Sequence, residues 1–402
     1  MSKQHSEIII VGGGLAGSAL SISLARAGVD VLLLEAETAF RDRVRGEILF
    51  PWGVAQARRL GIYELLRAAG ASPLPYRDTH VGGVLRKRSA FVEESNLEES
   101  PLSFNHAAVQ EALINAARNA GAHVIRGADV EDLQPGAETQ VTYAVGGIRY
   151  DVSTRLVVGA DGRTSRVRKL TGFEVNQGSP GLMTTGVALT GVATTVDALA
   201  AAFNTHERES ATLIPQVGGR VRAYLTFQER PDRSKPASVG QLTERLVAAG
   251  LSPDAFRMAN AVGPLATFHG TPKWVDVPYR EGVALIGDAA STSDPAFGQG
   301  MALALRDADV LANALAVTGN PEEAGHKYAY EHASYSAANR FVSGILSEAQ
   351  FHDGPCAEQL RSSALWRKHA GRLRAAHLDG PDDGVRDLLV TRHQSPSGST
   401  YR

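Results

Sequence analysis

At 402 residues, 43% hydrophobic and 21% charged, the chain has the make-up of a folded globular protein. It is long enough for two packed domains or one large core carrying an inserted sheet. A formal net charge of -2 with no basic, aromatic-interleaved stripe excludes a nucleic-acid-binding protein. The single cysteine, Cys356, excludes a disulfide framework and a paired-cysteine redox centre. The histidines are scattered, with no HExxH and no Cys/His cluster, so no metal is expected. The polar start MSKQHSE carries no signal-peptide core, and no run approaches transmembrane length. The expectation is a cytoplasmic protein without a membrane role.

In chain order, EIIIVGGGLAGSALSISLARAGVDVLLLEAE reads as strand, Gly-rich turn, helix and strand, with Gly28 as the helix stop. An arginine-rich loop, FRDRVRGE, precedes a helix through residues 51–70. Residues 71–102 read as short strands and turns, in which EESNLEES is a solvated loop. NHAAVQEALINAARNAGAHVIRG gives a helix and a strand, and TRLVVGADGRTSRVRKLTG a strand, turn and helix. From about 180 to 275 β-formers dominate, with Gly218-Gly219 at a hairpin turn, as in an inserted antiparallel sheet. The α/β pattern resumes at GVALIGDAA with a long helix from about Gly300. Residues from 321 on are helical, and the tail RHQSPSGSTYR frays.

Three apolar strands end in a carboxylate: LLLEA at Glu35, VVGAD at Asp161 and LIGDA at Asp288. In a parallel sheet such ends share one edge, where ligands bind in open α/β folds. The first end carries Gly12, Gly14 and Gly17 as G-x-G-x-x-G between strand and helix, with Ala16 in the helix's first turn. Glycines there let backbone N–H groups approach a pyrophosphate at the helix N-terminus, and an acid about 20 residues on, here Glu35, accepts from a ribose. Asp161-Gly162 alone is a common turn, and Ser165 alone a plain N-cap. The set of three ends is the specific signal.

In that order and spacing the motifs resemble the single-component FAD-dependent aromatic hydroxylases, the p-hydroxybenzoate hydroxylase-like family, over residues 7 to about 320. They are G-x-G-x-x-G with Glu35, D-G-x-x-S-x-x-R at Asp161, Gly162, Ser165 and Arg168, and G-D-A-A followed by Pro and G-x-G. The resemblance implies a Rossmann-type FAD-binding domain in three parts (1–70, 103–178, 276–320). It also implies a substrate domain from 71–102 and a mostly antiparallel β-sheet at 179–275, and a C-terminal helical region at 321–402. It places Asp288 on the FAD ribityl chain, Pro295 against the isoalloxazine, and Gly298, Gly300 and Met301 at the ring's pyrimidine end. There, helix N-terminal N–H groups favour the charge of reduced flavin. Arg43 and Arg45 fit the family's R-x-R, Arg45 toward the pyrophosphate and Arg43 toward FAD or the pyridine nucleotide; both also read as surface arginines. Val130 matches the position whose backbone meets adenine. His106 stands where many relatives carry Arg or Gln, a departure that puts its FAD contact in question.

By the same resemblance noncovalent FAD is reduced by NAD(P)H without a second Rossmann domain, and O2 then gives a flavin C4a-hydroperoxide that hydroxylates an electron-rich small molecule. Arg222 and Tyr224 alternate on one strand after Gly219 and fall where the family type member binds substrate. An arginine suits a carboxylate and a tyrosine a phenol; an exposed strand face is the other reading. His206, His269 and Trp52 also stand as pocket candidates, and no acid–base pair stands out as catalytic. The chain lacks the W-x-W of flavin-dependent halogenases. A prenyl-lipid reductase-like enzyme and a non-catalytic FAD-binding protein remain as alternatives, and the sequence does not fix substrate, choice of nicotinamide nucleotide or oligomeric state.

Overall fold

The structure, a computed structural model, describes residues 4–44, 46–136, 138–231 and 233–381. Arg45 and the tail from 382 lie outside the described residues. Ile8–Val11 and Val31–Glu35 are buried at every position, as strands covered on both faces must be. They lie inside a sheet ordered Tyr279–Arg280, Val283–Leu285, Leu156–Gly159, Ile8–Val11, Val31–Glu35, His123–Arg126. The last five run parallel, and Tyr279–Arg280 closes the edge antiparallel. The strands ending near Glu35, Asp161 and Asp288 therefore point the same way, with only Ile8–Val11 between the first two.

Alternation along these strands feeds two cores. Ile8, Ile10 and Leu33 pack with Leu20, Leu113 and Leu305 of the helices Leu15–Arg26, His106–Asn119 and Gly300–Thr318. Ile9, Val11, Leu32 and Leu34 pack on Val130, Val141, Tyr143 and Val152. Those belong to a second sheet, ordered Gln4–His5, Ile148–Thr154, Thr139–Val145, Ala128–Gln134. The result is three layers: helices, parallel sheet, second sheet.

A further sheet runs Asn260–Ala261, Met183–Thr190, Arg220–Phe227, Glu209–Gln216, Ala198–Asn204, Tyr76–Val81, Val84–Ala90, with Ala266–His269 also paired to Met183–Thr190. It is antiparallel except where Tyr76–Val81 joins Ala198–Asn204 in parallel. The turn before Arg220 holds Gly218 and Gly219 at φ +80° and +73°, which glycine adopts without strain. One face carries the helix Val239–Ala248, through Leu242 and Leu246 against Leu213, Ala223 and Leu225. The other carries Tyr224, Ile214 and Leu199 against Ile48 and Phe50, on the stretch following the second strand. This is the face turned to the parallel sheet's loops.

Two local expectations need correction. The helix read through 51–70 is two helices, Pro51–Arg59 and Tyr63–Ala68, because Gly61 takes φ +63° between them. EESNLEES is more than a solvated loop: Ser95 Oγ and the Asn96 N–H donate to Asp379 at 2.7 and 2.8 Å, tying the end of the helix Ala364–Asp379 to this segment. Acidic composition concealed that anchoring. Among the described residues after 320, the helices are Pro321–Phe351, Pro355–Ser362 and Ala364–Asp379. No helix among the described residues is long and apolar enough to cross a membrane.

Candidate functional site

At the first strand end the glycines divide into two kinds. A methyl on Gly17 would sit 1.9 Å from the Gly12 carbonyl oxygen, and one on Gly12 2.4 Å from that of Ala160, so these two let backbones touch. A methyl on Gly14 would meet only Gln110 Nε2, at 3.8 Å, so space lies open beside it. Gly14 begins the helix Leu15–Arg26, whose first turn has neither a side-chain cap nor an acid. Its N–H groups and dipole are therefore left for an anion. Glu35, buried, accepts the Gly13 N–H at 2.6 Å and the Glu37 N–H at 2.7 Å, and fixes the glycine turn against the second strand. Ala16 is buried and packs against Gly287 of the third strand end, joining the two turns.

At the second end, Asp161 Oδ2 accepts the N–H groups of Arg166 and Val167 at 2.6 and 3.0 Å. Its Oδ1 is buried with no hydrogen-bond partner among the described residues. Ser165 caps the helix Arg166–Leu170 by accepting from the Arg168 N–H. Arg168, buried, donates to the Ala289 carbonyl at 2.8 Å and the Arg163 carbonyl at 2.8 Å, lacing the second end to the third. Burial lowers its pKa, and the charges of Asp161 and Asp288 act against that.

The third end is the helical turn Gly287–Ala289, entered by Gly287 at φ +60°. The Gly287 N–H donates at 2.7 Å to Asp307, fully buried in the helix Gly300–Thr318. Asp307 Oδ1 in turn accepts from Tyr335 Oη at 2.5 Å and lies 3.0 Å from His332 Nδ1, while Tyr328 Oη donates to the Leu285 carbonyl at 2.7 Å. The long helix Pro321–Phe351 thus holds the strand that delivers Asp288. Nothing in its composition announced this, although tyrosine, histidine and tyrosine at 328, 332 and 335 share one face at helical spacing.

Between Asp288 and the next helix, Asp294 accepts the Ala296 and Leu182 N–H groups at 2.9 and 3.1 Å and starts the turn Pro295–Phe297. Burial pushes its pKa up to about 6. Gly298 follows at φ +61°, where a side chain would strike Phe50. The helix Gly300–Thr318 has no side-chain cap and no acid in its first turn. Asp288 Oδ1 lies 3.8 Å from where a Gly300 Cβ would stand, and Met301 Cε 3.4 Å from the equivalent point at Gly46. Trp52 is a packing residue here, its Nε1 donating to Gln299 Oε1 at 2.7 Å.

Above this loop, Arg222 and Tyr224 project from the strand Arg220–Phe227 toward one acid that sequence reading missed, Glu47. Glu47 is fully buried, and its Oε1 lies 2.9 Å from Arg222 Nε, an ion pair whose N–H is not aligned for a hydrogen bond. Its Oε2 accepts the hydroxyl of Tyr224. Arg222, only 1% exposed, also donates to Asp42 at 3.1 Å, and Arg220 pairs with Asp42 on its other oxygen. Tyr224 keeps a half-buried ring against Phe268, and Gly186 has no room for a side chain beneath it. Burial, then the Glu47 charge, raises the Tyr224 pKa well above the ordinary phenol value, so it stays a proton donor. The one available signal for Glu47 was an acid at the head of the otherwise apolar GEILFPW.

The remaining candidates are dispersed. Arg43 is half-exposed and pairs with Glu37 at 2.7 Å, and Arg45 lies outside the described residues. His106, at the start of its helix, places Nδ1 3.2 Å from the Gly46 carbonyl oxygen. Val130 is buried where the ladder between Ala128–Gln134 and Thr139–Val145 shifts register, a bulge that frees backbone from regular pairing. His206 pairs with Glu207 on an exposed turn, and His269 is exposed at a strand end.

A family model described as FAD binding domain matches residues 5–343. The FAD-dependent urate hydroxylase of Mycolicibacterium vanbaalenii is 27% identical over 328 residues, 76% of this chain and 78% of that protein. The 6-methylpretetramide 4-monooxygenase of Streptomyces rimosus is 29% identical over 330 residues, 76% and 73% of the two chains. Among solved structures, p-nitrophenol 4-monooxygenase PnpA from Pseudomonas putida DLL-E4 superposes with a TM-score of 0.75 at 19% identity, covering 97% of this chain and 98% of that one, a likeness of fold.

Proposed function

The chain belongs to the FAD-binding-domain family, and from that premise we propose that its three acid-tipped strand ends hold FAD beneath the larger sheet, and that the protein is a cytoplasmic monooxygenase of small aromatic molecules. The residues present fit the cofactor. Gly14 leaves room for a pyrophosphate where Gly12 and Gly17 leave none, and Asp161 Oδ1 brings to the same edge a buried acceptor without a partner among the described residues. That edge is the observation which carries the reading.

In this arrangement Gly14, Ala16 and the uncapped first helical turn bind the pyrophosphate by backbone N–H donation. Glu35 retains acceptor capacity for a ribose while holding Gly13, and the backbone at Val130 faces adenine. Asp288 takes the ribityl chain, and Pro295 with Gly298, Gly300 and Met301 lies along the flavin ring, where the helix dipole favours negative charge. FAD, reduced by NAD(P)H, supplies the activation of O2. The chain's own part is to orient the aromatic substrate under Arg220–Phe227 and to exclude water from the junction between sheet and loop.

The test is to purify the protein, measure FAD content, and supply NAD(P)H and isotopically labelled O2 with a panel of phenols. Substrate-stimulated NAD(P)H oxidation with label in the product is expected. Turnover without label would point to a reductase, and FAD binding without turnover to a non-catalytic flavoprotein.

A further inference from the structure

The larger sheet has a second face, turned away from the proposed cofactor edge, which carries the helix Val239–Ala248. Just past the end of that helix, Leu251 and Ala255 and the sheet enclose a cavity of about 420 Å³, within the roughly 300–1,000 Å³ of small-molecule sites. Asp78, Ala200 and Leu213, all buried, form its floor, and Leu85 and Thr195, both exposed, stand at its rim. Alternation separates it from the substrate side. Ala200 and Leu213 lie on the cavity face, whereas their neighbours Leu199 and Ile214 pack toward Ile48 and Phe50. Two backbone bonds fix the walls: the Gly83 N–H donates to the Gly250 carbonyl at 3.0 Å, and the Ala193 N–H to that of Ala255 at 2.9 Å.

Most of the buried floor is apolar, with one charged corner. Thr195 Oγ1 donates to Asp78 Oδ2 at 2.8 Å. Asp78 Oδ1 lies 3.4 Å from Arg88 Nε and is buried without a hydrogen bond among the described residues. His80 Nδ1, two residues along the same strand and also lining the cavity, is buried and likewise lacks one. Arg88 makes its closer contact with the partly exposed Asp197, at 2.6 Å. Two carboxylates thus share one guanidinium, and an unbonded acid is out of the ordinary in a buried corner. A protonated amine on an apolar body complements both features. The ammonium brings donors and positive charge to Asp78, and the hydrocarbon covers Ala200, Leu213 and Leu251. A carboxylated ligand would meet like charge there.

We propose that this cavity is a second ligand site, on the opposite face of the sheet from the substrate, for a small primary amine with an apolar body, held by Asp78. The inference goes beyond the flavoprotein reading and does not depend on it.

The experiment titrates the protein as purified, at neutral pH and by calorimetry, with 2-cyclohexylethylamine, 2-cyclohexylethanol and 3-cyclohexylpropanoate, which share a body and differ in charge. The amine should bind with one-to-one stoichiometry and about tenfold or more tightly than the alcohol, with the carboxylate weakest. Asp78→Asn should weaken the amine by about tenfold and leave the alcohol unchanged, a split that mere structural damage would not produce. Ala193→Trp, at an exposed position lining the cavity, should block binding of the amine. If Asp78→Asn fails to fold, Asp197→Asn, at a partly exposed site, should weaken the amine about threefold. Tyr224→Phe, on the other face of the sheet, should bind the amine as wild type does. No saturable binding of the amine, equal affinity for the alcohol or the carboxylate, wild-type affinity in the Asp or Ala193 variants, or loss of the amine in Tyr224→Phe would overturn the proposal. The readout is heat and not flavin colour, so failure of the flavoprotein reading, seen as colourless protein, leaves this test in force.

Discussion

The proposed cofactor edge and the sheet above it hold their polar groups by opposite means. At the edge, carboxylates accept backbone N–H groups: Glu35 from Gly13, Asp161 from Arg166 and Val167, Asp307 from Gly287. In the roof, side chains bond side chains, Tyr224 and Arg222 to Glu47 and Asp42. A site made of backbone is sensitive to a single added carbon and presents a fixed shape to a large, constant ligand. A site made of paired charges is sensitive to a lost charge and can be retuned for another substrate by one substitution. The two layers should therefore fail differently when altered.

The largest contrast lies within the edge itself. Gly17→Val should give no folded protein, since its Cβ would fall inside the Gly12 carbonyl. Gly14→Val places its Cβ in open space at an ordinary negative φ, and should fold with near wild-type thermal stability yet purify without FAD. Flavin absorbance beside a circular-dichroism melt separates the two. A Gly14 variant that retains flavin would mean the open space serves another purpose.

A smaller effect is expected at Glu35. Glu35→Ala removes the acceptor for Gly13 and the ribose contact together, and loss of a charge-assisted hydrogen bond costs about 1.5–3 kcal/mol. The FAD dissociation constant should rise by roughly 10- to 100-fold. Asp288→Ala should likewise lower occupancy, with activity partly restored by excess FAD. Tyr224→Phe, by contrast, should keep FAD and lower the yield of hydroxylated product per NAD(P)H consumed by roughly tenfold or more, because a misplaced ring reacts slowly. Hydrogen peroxide release accounts for the remainder. If Asp288→Ala binds FAD normally while Tyr224→Phe loses it, the two layers have been assigned the wrong way round.

The same contrast explains what could be read from the chain in advance. Glu35 and the glycine it serves are 22 positions apart within one strand–helix–strand unit, so spacing alone signals the pair. That three strands end in Glu35, Asp161 and Asp288 is read from local apolar runs, whereas their alignment along one edge rests on long-range parallel pairing, Leu156 with Ile8 and Val157 with Val283, which the repeated strand–turn–helix pattern implies. Tyr224 and Glu47 are 177 positions apart, and Arg222 and Asp42 are 180 apart. No periodicity links residues at such distances. Arg222 could be named from its place on a strand, but its partners, and hence its charge state as a site, appear only when the sheet is laid over the loop after the second strand. The buried Asp307 cluster was hidden for a different reason: its members are only 20–28 positions apart, but they come from two helices whose mutual packing no motif spacing marks.

Asp294 sits where the two layers meet, bonded to Leu182 on one side and Ala296 beside Pro295 on the other, and sharpens the comparison by pH. Burial raises its folded-state pKa from 3.8 to about 6. Below the lower value the group is protonated whether folded or not, and its contribution is fully present. As pH rises toward the upper value the unfolded chain releases the proton first, so the unfolded state is favoured. The contribution is lost through about pH 6 and constant above it. The shift corresponds to at most about 3 kcal/mol. Asp294→Asn removes the titration but weakens one of two backbone bonds, worth about 1 kcal/mol, so the net change at neutral pH should be a gain of about 1–2 kcal/mol. Urea midpoints at about pH 4 and about pH 7.5 should show the variant gaining on wild type only at the higher value. An equal difference at both would mean that Asp294 is already ionised at about pH 4 in the folded protein, and that burial does not raise its pKa between the Leu182 and Ala296 N–H groups.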